Sequence, residues 1–246
     1  MKKLWIVWII IIMSATSVWA ETITLVTGEF PPYTSEALED RGFSTEIISA
    51  VFQEMGKEVE YTFYPWRRCE ELVQKGKAWA TFPYTHTEER EKVYLFSDNI
   101  SDSITHFFYY KENKAYTYNT LEDLKDYKVG GLQGYFYEPW FEEAGLEVTY
   151  TYDHMSIIRQ LINGRIELAP LNVVVGWHTI KTQFPDEAQN FDYLEKPLLV
   201  GKTHVIASKQ YPGSAELLEE FNAALQRIKE NGTHAAILEK YGIKVQ

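Results

Sequence analysis

The chain reads as α/β in class, arranged as two lobes, and three observations carry that expectation. Short β-branched and aromatic runs alternate with apolar stripes of helical period, most of them closed by a glycine. A polar break at Glu112-Asn113-Lys114 divides this alternation into two units, and 246 residues suffice for two hydrophobic cores. The leading residues form a secretory signal outside either unit: Lys2 and Lys3, an apolar run over 4–13, then Val18-Trp19-Ala20 as a small-residue cleavage site before Glu21. No later stretch approaches the roughly 18 uninterrupted apolar residues of a membrane span, so the processed chain is expected to be soluble.

The first unit opens with a buried strand over 22–27. Gly28-Glu29-Phe30-Pro31-Pro32-Tyr33 follows as a stiff loop that presents Phe30 and Tyr33, either to a ligand or simply as a cover for the core. Phe43, Ile47, Ile48, Val51, Phe52 and Met55 mark an amphipathic helix closed by Gly56, and 58–64 alternates as a strand. A short helix over 66–75 carries Cys69, Leu72 and Val73 on one face and ends at Gly76. A strand over 78–82 is expected to break at Pro83. Thr85 or Thr87 then caps a helical turn beginning Glu88-Glu89-Arg90. This β-α-β order predicts a largely parallel sheet, with ligands at the carboxyl ends of its strands.

The second unit follows the aromatic strand 104–111. It is expected to hold a helix over 121–126, a strand over 127–131, and a helix starting near Gly134, whose missing Cβ would let the backbone approach a polar group. A strand over 147–152, a helix over 155–163 ended by Gly164, a strand over 166–171 reaching Asn172, and a helix over 173–183 complete it. The chain returns through a strand over 203–208 and closes with helices on either side of Gly232.

Arginine in the first turn of a helix opposes the macrodipole, at a cost of about 0.3–1 kcal/mol. An anion held by the turn and by a bidentate Arg90 would compensate, and a carboxylate fits that fork; a solvated pair with Glu89 or Glu91 is the alternative. Processing removes two lysines and no acid, leaving 22 basic against 35 acidic residues, a net −13 that argues against nucleic acid. The single cysteine, Cys69, is expected to be a buried thiol. None of the six histidines forms a pair at metal-ligand helical spacing, so neither metal nor cofactor is expected.

In order and spacing these pieces resemble the family 3 extracytoplasmic solute-binding proteins, periplasmic receptors of polar amino acid uptake. The resemblance rests on the Pro32-Tyr33 loop, the Trp66 helix with Gly76, Thr87-Glu88-Glu89-Arg90 with Phe96-Ser97-Asp98, the 121–134 segment, Asn163-Gly164-Arg165 and Asn231-Gly232-Thr233. It implies a type II periplasmic-binding-protein-like fold with two hinge strands, 21–110 and 203–246 forming one lobe and 111–202 the other. It further implies a monomer in the periplasm serving ABC transporter membrane subunits. Arg90 would clamp a ligand carboxylate, Phe30 and Trp66 would flank its body, Thr85 would donate a hydroxyl, and Tyr33, Gly134 and Tyr135 would complete the cleft. Two departures stand out. Asn172 occupies the place of the acid that holds an α-ammonium, and Tyr135-Phe136 replace a Ser/Thr. Arg67, with Arg68, offers a contact for a second anionic group of the ligand or forms a solvated helix face. The alternatives are a cyclohexadienyl-dehydratase-like enzyme, with Glu29 or Glu167 as general acid, and a stand-alone sensor of the same fold.

Overall fold

The computed structural model describes residues 22–111 and 116–243; the stretch expected to be a secretory signal and the expected polar break lie outside them. β1 (Ile23–Thr27) runs parallel between β2 (Val59–Phe63) and β3 (Ala80–Thr85), with Leu25 opposite both Tyr61 and Ala80. Crossovers through α1 (Phe43–Glu54) and α2 (Trp66–Gln74) make that parallel pairing possible. Both helices end as expected, with Gly56 and Gly76 in the left-handed region at φ 66° each. After α3 (Glu88–Val93) and β4 (Tyr94–Phe96) comes β5 (Ser101–Tyr110), which begins three residues earlier than the sequence suggests.

The next segment contains a 3-10 turn (Leu121–Leu124), β6 (Val129–Leu132), α4 (Glu138–Ala144), β7 (Val148–Thr151) and α5 (His154–Ile162). β8 (Ala169–Asn172), α6 (Val173–Gln183) and β9 (Phe191–Tyr193) precede β10 (Leu199–Ser208), α7 (Ser214–Glu230) and α8 (Thr233–Lys240). The main sheet has the order β2-β1-β3-β10-β5-β8, with β4 added to β10 and β9 to β5. β6 and β7 pair in parallel, and Val129 bridges Leu168 in the same sense just before β8.

The described residues form four apolar clusters, of which two are the largest. Leu25, Phe43, Trp79, Val205 and Phe221 belong to one core, Phe108, Ile158, Leu171 and Phe191 to the other. β5 and β10 pair antiparallel from Ser101–Thr203 to Thr105–Leu199, between the cores, and form the two hinge strands. The fold is the two-lobed α/β type expected.

Several expectations fail for identifiable reasons. The sheet is mixed rather than largely parallel, because β5 and β10 run antiparallel to each other and to β8 and β3. Pro83 does not end β3. His204 faces Tyr84 and Ile206 faces Thr81, so Phe82 and Pro83 share a bulge opposite Val205, where an absent N–H costs no regular ladder bond. The 121–126 helix is a single 3-10 turn, and α4 starts four residues beyond Gly134.

Candidate functional site

At the carboxyl end of β3, Arg90 is held from three sides. Its Nη1 donates to the Thr85 carbonyl at 3.2 Å and, more weakly, to Thr85 Oγ1 at 3.4 Å. Its guanidinium lies over the Tyr84 ring at 4.9 Å, and Nη2 faces Glu70 at 3.6 Å. The turn itself is capped by Thr87, whose Oγ1 accepts from the Arg90 N–H at 3.2 Å. α3 is so short that Arg90 falls in its last turn as well as its first, so the expected conflict with the macrodipole does not arise, and the guanidinium is held by an acid from α2, an aromatic face and a carbonyl rather than by Glu89 or Glu91. Among the described residues, Nε has no hydrogen-bond partner.

The aromatic wall beside it is built by close approach. A Cβ on Gly28 would sit 2.6 Å from the Trp66 ring, so the indole lies directly on the β1–loop backbone. Phe30 is half-buried and stacks on Tyr33 at 5.0 Å. Tyr33 itself is not presented: it is 0% exposed, packs on Phe43 at 4.4 Å, and burial pushes its hydroxyl up to about 12. Gly42, at φ 91° and within 2.5 Å of the Tyr33 carbonyl for any added Cβ, lets the loop fold back onto α1 in this way. Arg67 also departs from expectation. Its side chain is 93% exposed and reaches Glu71 one helical turn along, so it joins the solvated face of α2 rather than the Arg90 cluster.

In the second lobe the parallel strands β6 and β7 end beside one another, and the Gln133 N–H donates to the Thr151 carbonyl at 2.9 Å. Gly134 takes φ 79°, and a Cβ there would meet nothing within 4 Å. Its glycine therefore serves the turn rather than a close approach, and its N–H is already taken by Glu138 Oε1 at 2.7 Å. Tyr135 packs into the lobe core, with its hydroxyl 3.4 Å from His154 Nε2 and pushed up to about 12 by burial. Asn172 is saturated. Its Oδ1 accepts from the Val174 and Val175 N–H groups at 3.0 and 3.1 Å, capping α6, while Nδ2 donates to Tyr33 Oη and Ser103 Oγ at 3.1 Å each. The amide thus ties the second lobe to the first lobe and to β5.

The structure brings Thr85 and Arg90 into contact, sets Phe30 and Trp66 against the same strand-end region, and joins Asn172 to Tyr33. Sequence reasoning missed Gly28, Glu70 and Tyr84. Only Glu70, one turn after Trp66 on α2, left a signal in the periodicity. A cavity of about 640 Å³ lies between Asp102, Ile104 and His106 of β5, Trp177 of α6, and Tyr241. None of the expected site residues lines it. Cys69 is buried, donates to the Tyr64 carbonyl and has its thiol pushed up to about 11 by burial, which makes it a poor nucleophile. Among the described residues no group of three or more His, Cys, Asp or Glu could hold a metal ion, and no helix is long and apolar enough to cross a membrane.

Residues 23–244 match the bacterial extracellular solute-binding proteins, family 3, and the chain belongs to that family. It is 26% identical over 252 residues to the putative ABC transporter arginine-binding protein 2 of Escherichia coli (strain K12), covering 98% of this chain and 99% of that one. The L-cystine-binding protein TcyJ of the same organism is 25% identical over 222 residues, covering 87% and 79%. Among solved structures, an ancestral arginine-binding protein bound to arginine superposes with a TM-score of 0.68 at 27% identity, over 89% of this chain and 97% of that one.

Proposed function

We propose that this chain is a monomeric periplasmic receptor, exported by a signal cleaved near Ala20, that captures a small carboxylate-bearing, amino-acid-like ligand between its lobes for an ABC transporter. In this reading 21–110 and 203–246 close on 111–202 by bending at β5 and β10. The observation that carries it is Arg90, fixed by Tyr84, Thr85 and Glu70 at a strand carboxyl end, with its Nε unbonded among the described residues. The relatives named for binding arginine and cystine support a ligand with a carboxylate head. A catalytic role is not favoured, since Glu29 and Glu167 accept from the backbone N–H groups of Glu36 and Lys128 at 2.7 and 2.8 Å. Replacing Arg90 tests the proposal. A charge-assisted hydrogen bond contributes about 1.5–3 kcal/mol, so Arg90→Ala should weaken ligand binding by roughly tenfold to more than a hundredfold in calorimetry. Arg90→Lys should recover only part, since it restores charge without the fork. Unchanged affinity in Arg90→Ala would remove the clamp from the site.

A further inference from the structure

We infer that the ligand of this cleft is a carboxylate with a broad aromatic or apolar body and no α-ammonium, and that it is not a cationic amino acid. The inference rests on the cleft reading above and names the substrate class of that site. An ammonium drawn from water into a closing cleft needs acceptors that are free to face it. The polar side chain at the carboxyl end of β8 is Asn172, and its single oxygen already accepts two backbone N–H bonds while its nitrogen points both protons at Tyr33 and Ser103. Turning the amide to present oxygen to a ligand would uncap α6.

The acids on the neighbouring strand-end loops are directed elsewhere. Glu29 accepts from the Glu36 N–H, Glu138 from the Gly134 N–H, and Asp153 from both the N–H and the hydroxyl of Ser156. Glu70 faces Arg90, where it neutralises the clamp instead of a second cation. An arginine ligand would bring an ammonium and a guanidinium into this setting, where Glu29, Glu70, Glu138 and Asp153 each already face a partner.

The apolar evidence points the same way. Tyr64 follows β2, Phe136 follows β6, and Tyr152 and Met155 follow β7, at 39%, 42%, 86% and 41% exposure. These are four of the seven large apolar side chains exposed among the described residues, and all four sit just beyond strand carboxyl ends, on the lobe rims that carry Trp66 and Tyr135. Ligands of α/β sheets bind outside the carboxyl ends of strands, so apolar area left in water there is placed to meet one. Trp140 braces Phe136 at 5.3 Å, which orders the rim at little further entropy cost on binding.

The test uses matched probes that differ only by the ammonium: 3-phenylpropanoate against L-phenylalanine, and 3-indolepropanoate against L-tryptophan, with L-arginine as the fifth. Calorimetry on the processed chain should show at least one of the two ammonium-free acids binding about tenfold or more tightly than its amino-acid partner, and no heat from arginine. Tyr152→Ala, at a side chain too exposed to matter for folding, should weaken that acid by about tenfold without shifting the melting temperature. Tighter binding of L-arginine or of either aromatic amino acid overturns the inference, as does heat from none of the five. The two readings fail separately. Arginine binding that Arg90→Ala abolishes sinks only the ligand class, whereas binding of any probe that ignores Arg90→Ala sinks the clamp as well.

Discussion

Asn172 is the residue at which chemistry and architecture compete. An amide can accept through oxygen and donate through nitrogen at the same time, and here both ends are used: the oxygen on α6, the nitrogen on Tyr33 and Ser103. A carboxylate could cap the helix equally well but could donate to neither hydroxyl. Asn172→Ala should therefore lower the unfolding free energy by about 0.5–2 kcal/mol in urea titration. Asn172→Asp should lose less, because the cap survives and the two hydroxyls can rotate to donate. An alanine variant as stable as wild type would show that the tie contributes nothing.

At the scale of elements, α3 is six residues long, with no buried residue, too short to be stable by itself, and it carries Arg90. Its order comes from the Thr87 cap and from the bonds of Arg90 back to Thr85. Thr87→Ala should cost about 1 kcal/mol of stability by the loss of that cap. It should also weaken carboxylate binding several-fold by loosening the turn, with Thr87→Ser restoring both; calorimetry with the ligand identified for wild type is the check. Full affinity in Thr87→Ala would mean that Tyr84 and Glu70 suffice to position the guanidinium. The bulge at Pro83 belongs to the same element. It brings Tyr84 beneath Arg90 while β3 continues to Thr85, and so converts an apparent strand breaker into part of the site's geometry.

Across the whole molecule, four imidazoles have their pKa lowered chiefly by burial: His154, His178, His204 and His234. His234 is the clearest, donating Nε2–H to the Ile100 carbonyl at 2.7 Å, with Lys229 also disfavouring its charge and Asp102 partly opposing it. A folded-state value below the ordinary 6.5 means that the unfolded chain binds more protons as pH falls through that region. Stability is then fully present above 6.5 and declines on acidification below it. Thermal melts from about pH 7 to 5 should show this decline, and His234→Gln, which keeps a donor for Ile100, should flatten the slope without abolishing it. An unchanged slope would exclude His234 as a contributor. What the sequence by itself determined was the order of the longer elements, the α/β class and the helix ends marked by glycine. These are local properties: apolar period shows on a chain, and Gly56, Gly76, Gly164 and Gly232 all take the positive φ that other residues resist. Three-residue β4 and β9 left no readable period, and the bulge at Pro83 needed β10 as its partner. The site divides along the same line. Arg90 stood out in the sequence as a cation in a first helical turn, but α3 ends at Val93, so the same residue also lies in the last turn and no dipole rule is broken. Burial of Tyr33 and saturation of Asn172 did not stand out, because they depend on groups 139 positions apart, and a hydrogen-bonding side chain is free or spent only according to what the tertiary fold sets beside it.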